Sequence, residues 1–419
     1  MKTIVDLHIH SKYSRATSKA LDVSGIAKFA AIKGVDVIAT GDITHPKWIE
    51  EIEEGMEEDG SGFLRLKDGG AGAGADTRFV LCGEVANIYK KGDRARRMHT
   101  LFVLPSIESV KKVNKKLEDE GYNIRSDGRP IIGLDVKELA KIYLDIEPRA
   151  LVIPAHIWTP WFSLYGSKSG FDSIDECWEE MSEYIWAVET GLSSDPAMNW
   201  RVSDLNDKMI LSHSDAHSPE KIGREADVFE WDEVSYDTLY ESIKENKNLE
   251  YTIEFFPEEG KYHMDGHRKC EVRLEPKETA KHKGVCPKCD TKLVVGVMNR
   301  VEELADQEAT PDRRAPFKSI IPLPEIIANA FGCGVKTKRV DAEFTKIIEA
   351  LGSEFHILLD ADPEEISRVA DPLVAEGIKR VRAGNVHIEP GYDGEFGVIE
   401  VFTDKERASH KPQQEGLFE

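Results

Sequence analysis

The stretch TIVDLHIH, residues 3–10, opens as an apolar strand and closes on two histidines one residue apart. Side chains two apart on a strand point to the same face. His8 and His10 therefore aim at one site, and Ile9 packs on the opposite side. Later strand-like segments repeat the habit. Asp42 and His45 follow VDVIAT (35–40), and Glu84 ends RFVLCGEV (78–85). His99 begins HTLFVLP (99–105), and His156 ends ALVIPAHI (150–157). Glu189 and Asp195 belong to and follow IWAVETG (185–191). Asp215 and His217, again two apart, end KMILSHSDAH (208–217).

Helical patterns separate these segments, at 23–34, 48–58, 109–121, 136–146 and 172–184. The alternation predicts an α/β fold of parallel βαβ units, closed as a barrel or open as a sheet. In either case the C-terminal ends of the strands share one rim, where active sites sit. His8, His10, Asp42, Glu84, His99, His156, Asp215 and His217 are too many ligands for one ion. They suit two or three divalent ions (Zn, Mn or Mg) bridged by carboxylates, an arrangement used for phosphoester hydrolysis. Asp42, His45 and Asp195 are also candidate catalytic groups. His45 has a second reading as a cap on the helix after Pro46, Asp195 as a helix-capping carboxylate, and Glu189 as a partner orienting a ligand. Trp158, Trp161 and Phe162, just past His156, read either as a stacking surface for a base or as a packed loop.

The chain has 419 residues and a net charge of −22. That charge lowers the expectation of a nonspecific grip on nucleic acid but leaves local basic patches open. No apolar run approaches the ~20 residues that span a bilayer, so no membrane partner is expected. The N-terminus lacks the pattern of a secretory signal, and the expected location is the cytoplasm. Six dispersed cysteines make no disulfide framework. DGGAGAGADT (68–77) reads as a glycine-rich surface insertion.

We read residues 1–250 as the barrel, 251–300 as a small zinc-binding unit, 301–405 as a helical C-terminal domain and 406–419 as a disordered tail. In the small unit, Cys286-Pro287-Lys288-Cys289 supplies two thiolates on a tight turn, and His267-x2-Cys270 a matching pair. One structural zinc is expected there, with His263 as the alternative fourth ligand. Arg268, Lys269 and neighbouring lysines make this unit locally basic, and Arg94, Arg96 and Arg97 form a second cluster before His99. Both are candidate DNA-contacting groups. The segment VHIEPGYDGEFGVIEVF (386–402) predicts a hairpin turning at Gly-Tyr-Asp-Gly.

DLHIH, GDITH, GEV, a single histidine near 99, PAH and SDAH together resemble the motifs of the polymerase-and-histidinol-phosphatase (PHP) superfamily. The likeness covers about residues 1–225. It implies a distorted (β/α)7 barrel with a trinuclear metal site that hydrolyses phosphoesters. The second motif departs from the usual D-x-T-D-H or D-H, which leaves the separate roles of Asp42 and His45 open. The order of barrel, zinc unit and C-terminal region ending in PGYDGEFGVI resembles the endonuclease Q family of archaeal and occasional bacterial repair enzymes. That resemblance implies nicking of damaged DNA, single- or double-stranded, on the 5′ side of uracil, hypoxanthine, xanthine or an abasic site. A sliding clamp is a further candidate partner. Two other readings fit parts of the chain: a small-molecule phosphatase of the histidinol-phosphate type, which needs only the barrel, and a catalytically inactive DNA-binding protein.

Overall fold

The computed structural model describes residues 1–67, 76–309 and 314–409. Residues 68–75 of the glycine-rich insertion and the tail from 410 onward lie outside the described residues. The first part of the chain forms twelve strands: β1 (Lys2–Asp6), β2 (Val37–Ala39), β3 (Met56–Glu58), β4 (Leu64–Leu66), β5 (Arg78–Lys91), β6 (Arg94–Leu104), β7 (Ile131–Ile132), β8 (Leu151–Pro154), β9 (Ala187–Glu189), β10 (Met209–Leu211), β11 (Ala226–Glu230) and β12 (Leu249–Glu254).

β1, β2 and β5 pair in parallel, and β9 pairs in parallel with β10. Between them β6 runs antiparallel to both β5 and β8. Two further links complete a ring. The Ile157 N–H donates to the Glu189 carbonyl at 3.0 Å, joining β8 to β9. Ile9 bridges Ala216, and the His10 N–H donates to the Ala216 carbonyl at 3.0 Å, joining β10 back to β1. The interior is apolar, with Trp48, Phe102, Tyr143, Trp178 and Phe229 among its largest fully buried side chains.

The expectation of parallel units throughout is corrected at β6. β5 continues well past Glu84, and a two-residue Gly92-Asp93 turn returns the chain as an antiparallel hairpin with Lys91 opposite Arg94. Gly92 adopts φ 60°, the left-handed conformation such a turn needs. Helices form where the periodicity places them near 23–34, 109–121 and 136–146, whereas the segment 48–58 is helical only to Gly55 before β3, and 172–184 is α-helical only over Ile174–Trp178 before a tighter 3-10 turn. Val136–Ile146, for example, starts where the Asp135 carboxylate accepts from the Lys137 N–H at 3.1 Å, and it buries Val136, Leu139, Ala140 and Tyr143.

The boundary expected at 250 falls inside β12, which is antiparallel to β11 and parallel to β15 (Phe317–Ser319). The barrel sheet thus extends past the small unit. Inside that unit β13 (Asp265–His267) and β14 (Val272–Leu274) form a hairpin over a separate core of Val272, Cys286 and Leu293. C-terminal helices follow at Leu323–Phe331, Lys338–Leu351, Pro363–Val369 and Pro372–Arg382. They are tied to the barrel by the buried Lys33–Glu354 pair at 2.7 Å.

The expected hairpin is β16 (His387–Glu389) with β17 (Val398–Glu400). Its connecting loop is stitched to the small unit by backbone bonds. Gly391 N–H donates to Glu258 C=O at 2.7 Å, Met264 N–H to Gly391 C=O at 3.0 Å, and Gly397 N–H to Glu259 C=O at 3.0 Å. A Cβ at residue 397 would stand 2.1 Å from the Glu258 oxygen, which explains the glycine. The tail expected from residue 406 begins within a helix, Asp404–Ser409, because Thr403 and Glu406 cap it reciprocally. Among the described residues no helix is long and apolar enough to cross a membrane.

Beneath the rim the Glu254 carboxylate accepts hydroxyls from Ser212 and Thr252. Burial pushes this group up to about 8, and the carboxylates of Asp195 and Asp227 add to the shift. The folded chain therefore keeps a proton that the unfolded chain releases near the ordinary carboxyl range. Stability should fall as pH rises from about 5 to 8, by up to about 1.4 kcal/mol per unit from this group. Urea denaturation across that range should show a shallower fall for Glu254→Gln, and an unchanged slope would count against the assignment.

Candidate metal centre

The rim gathers two ligand groups around one carboxylate. His8, His10, Glu84 and Asp215 bring one ligand atom each within 4.8 Å of one another, and so do Glu84, His99 and His156. Glu84 Oε2 faces His8 Nε2 at 3.5 Å and His10 Nε2 at 3.3 Å. Its Oε1 faces His99 Nδ1 at 2.6 Å and His156 Nε2 at 3.1 Å. Asp215 Oδ1 closes the first group, 3.1 Å from His10 Nε2. His8 Nε2, His10 Nε2 and Asp215 Oδ1 are buried without a hydrogen-bond partner. Orphaned atoms of this kind converging on one point fit a divalent cation, and imidazole with carboxylate suits Zn or Mn.

The backbone is bent to make this fit. Asp42, His156 and Asp215 take left-handed φ values of 49°, 33° and 45°. Non-glycine residues there store strain, which clusters at functional sites.

A second layer fixes the imidazoles. Glu189 Oε1 lies 2.9 Å from His8 Nδ1 and 2.8 Å from His213 Nδ1, while its Oε2 accepts from the His156 N–H at 2.8 Å. Its reading as an orienting partner is thus the one the geometry carries. Behind it Asp227 Oδ2 lies 3.0 Å from His213 Nε2. Asp42, expected as a ligand and catalytic group, lies behind His10 instead. Its Oδ1 is 3.1 Å from His10 Nδ1, and its Oδ2 accepts from the Ser11 N–H at 2.7 Å and from the Ser11 hydroxyl. Its left-handed backbone turns the short side chain toward β1 and away from the ligand groups.

Other candidates also move. His45 stacks on Tyr13 with ring centres 4.3 Å apart, and its Nε2 meets the Arg125 carbonyl, so it stands off the cluster. Asp195 caps the helix Pro196–Asn199 by accepting from the Met198 N–H at 2.8 Å. His217 sits at the mouth, its ring 4.6 Å from that of His10 and its Nδ1 bonded to the Asp215 carbonyl, outside both ligand groups. Arg96 is buried, holding Gly170 and Glu176, so it is not presented to a ligand; Arg94 and Arg97 are exposed near the tip of the β5–β6 hairpin. Trp158 is packed in the core, whereas Trp161 is exposed at the rim and Phe162 covers His99 with ring centres 4.6 Å apart.

Two residues were not anticipated. His213 sits in the same SHSDAH run as Asp215, so its spacing was a usable signal. Arg129 lies 45 positions from Glu84, in a loop without a motif, yet its guanidinium donates to Glu84 Oε2 at 2.9 Å.

Charge follows this geometry. Burial works against ionising His8 and His10, but the surrounding carboxylates prevail and hold both well above the ordinary histidine value. Glu189, despite burial, is pulled down to about 2 by His8 and His213. Burial also lowers His99 to about 4, so this ring is neutral and ready to ligate.

In the small unit, His267, Cys270, Cys286 and Cys289 converge within the same 4.8 Å limit, with Cys289 Sγ 3.3 Å from His267 Nδ1. His267 is the histidine that joins the thiols. The set suits a closed tetrahedral zinc site that supports folding.

Residues 322–385 match the family described as the MJ0043 C-terminal domain. Over 410 residues the chain is 30% identical to the uncharacterized protein YqxK of Bacillus subtilis, covering 95% of this chain and 99% of that one. It is 38% identical over 266 residues to the uncharacterized protein MJ0043 of Methanocaldococcus jannaschii, a match to 61% of this chain that spans 32% of that longer protein. Among solved structures it is similar to the lesion-specific endonuclease PfuEndoQ from Pyrococcus furiosus, at 31% identity and a TM-score of 0.84, covering 96% of this chain and 95% of that one. It is equally similar to endonuclease Q in complex with a 27-mer duplex substrate bearing an abasic lesion at the active site, at 31% identity and a TM-score of 0.83 over the whole of both chains.

If Glu84 joins the two groups, Glu84→Gln should weaken divalent binding at both, by roughly 10–100-fold. Metal analysis after dialysis against a mild chelator should show loss of metal from the rim and retention of metal bound by His267, Cys270, Cys286 and Cys289. Cys289→Ser should do the reverse.

Proposed function

The chain belongs to the endonuclease Q family, and from that membership we propose that it is a DNA repair endonuclease that hydrolyses the phosphodiester 5′ to deaminated bases and abasic sites. The observation that carries this reading is Glu84, one carboxylate facing two ligand groups at a partly open rim. A non-catalytic DNA-binding protein would have no use for the orphaned ligand atoms there. A small-molecule phosphatase would have no use for the stitched zinc unit and C-terminal region.

In this reading the ring of strands is the distorted (β/α)7 barrel of the PHP superfamily, residues 251–300 are a zinc ribbon and the helices after 320 form a DNA-binding domain. His8, His10, Glu84 and Asp215 would hold one divalent ion, and Glu84, His99 and His156 a second. Such ions supply Lewis-acid charge at the scissile phosphate and lower the pKa of a water. The protein's own groups do the rest. Glu189 and Asp42 hold His8 and His10 in the tautomer and orientation that present Nε2 to the rim. Arg129, 29% exposed and anchored at one nitrogen by Glu84, has donors left for a phosphate oxygen. Arg94, Arg97, Arg268 and Lys269 contact the DNA backbone, and Trp161 stacks on the displaced nucleotide, whose unstacking costs least at a damaged pair.

The test is a cleavage panel on normal, uracil-, hypoxanthine- and abasic-containing oligonucleotides with Mg, Mn or Zn, mapping the product ends. His8→Ala should lower nicking on the order of 10³-fold, the several kcal/mol expected of metal catalysis. His45→Ala should change it less than about threefold. Arg97→Ala should weaken binding to every sequence alike and reduce the salt slope by about one. Turnover of simple phosphate monoesters without DNA cutting would favour the phosphatase reading instead.

A further inference from the structure

β12 is antiparallel to β11, which is antiparallel to β1, so β12 and β1 run the same way. The segment that follows β12 therefore leaves the sheet at the rim that carries His8 and His10. This segment, residues 255–268, is where the β16–β17 loop is stitched on. The loop presents an unusual side chain. Phe396 is 66% exposed, the most exposed aromatic among the described residues. Exposing a phenyl ring to water forgoes about 1.5–3 kcal/mol of burial.

The ring is nonetheless held in place. Its neighbours Gly391, Gly394 and Gly397 all donate backbone bonds to residues 258–261, and Tyr392 and Glu395 bond each other. Lys261 Nζ stands 4.4 Å from the Phe396 ring centre. Tyr262, also exposed, and Arg268 border Gly394, and the exposed Val398 extends the apolar surface along β17. Arg268 and Lys269 lie between the zinc ligands His267 and Cys270, and the Arg268 N–H is fixed to the Asp393 carboxylate at 2.6 Å. Residues 261–292 carry nine Lys or Arg against five Asp or Glu, in a chain of net charge −22.

A rigid exposed ring bordered by cations is what a nucleic acid asks of a stacking platform: a face for the base and charge for the phosphates. Lys261 and Arg268 beside the ring supply charge for phosphates, which an apolar protein partner would not require. Resting on the reading of the protein as a DNA endonuclease, we infer that Phe396, flanked by Lys261, Tyr262 and Arg268, is a second nucleobase-stacking site that receives an unpaired base of the DNA, separate from the metal rim.

The test is a fluorescence-anisotropy titration of a fluorescein-labelled duplex with one abasic residue, using the full chain in a His8→Ala background to prevent cleavage. Phe396→Ala should weaken binding roughly tenfold, within the range for loss of one base–aromatic stack, with the salt slope unchanged. Phe396→Trp should restore affinity, and Phe396→Leu, which keeps apolar bulk but no ring, should behave like alanine. Because the ring is exposed, the thermal midpoint should be unchanged in all three. A change below twofold for Phe396→Ala, full affinity for Phe396→Leu or a shallower salt slope would overturn the stacking site while leaving the endonuclease reading intact. Failure of the parent protein to bind the duplex would overturn both. Sedimentation showing that Phe396→Ala dissolves a dimer would assign the patch to a second copy of the chain and overturn the proposal.

Discussion

The centre of this protein depends on one carboxylate with two faces. Glu84 meets His8 and His10 through one oxygen and His99 and His156 through the other, with Arg129 donating to the first. No strand could carry all these partners, so the fold must bring β1, β5, β6 and the end of β8 to one point. The antiparallel β6 serves that need. By returning directly from β5, it pairs His99 with Ala86, two residues along the same face from Glu84. A helical crossover would place the next strand in parallel and present a different end at the rim.

The constraint spreads outward in layers. Orphaned nitrogens at the rim require that the back nitrogens be fixed, and Glu189 and Asp42 fix them. Glu189 is itself held by His213, and His213 by Asp227. A chain of alternating acid and imidazole thus runs from the rim into the barrel wall. Each buried charge has an opposite partner, the condition under which such groups are tolerated in an interior.

Much of this is legible in the sequence because strands have period two. HxH at a strand end can be read without a structure, and so can the C-x2-C turn and the GYDG hairpin; of the DxH pair only Asp215 joins a ligand group, and His217 stands outside both. The errors have local physical causes. Asp42 looks like a ligand until its left-handed φ turns it behind His10. Arg96 looks like its neighbours Arg94 and Arg97, but it stands on the opposite strand face from Arg97 and further from the hairpin tip than Arg94, where it meets Gly170 and Glu176. Arg129 carries no signal, because a lone arginine in a loop acquires meaning only from the carboxylate it meets. The stitching of the C-terminal loop is equally silent, since backbone bonds leave no mark on side chains beyond the glycines at 391 and 397.

That stitching also sets an order of events during synthesis. Arg268 and Asp393 are 125 positions apart, yet the Asp393 carboxylate accepts from the Arg268 N–H, next to His267. A chain emerging from the ribosome at about 5–20 residues per second delivers His267, Cys270, Cys286 and Cys289 several seconds before it delivers this loop. The small unit gains the loop's backbone partners only when almost the whole protein has been made. A ribosome that stops short of residue 390 therefore leaves a barrel with all its rim ligands and a small unit without the backbone partners that the loop gives Glu258, Glu259, Lys261 and Met264.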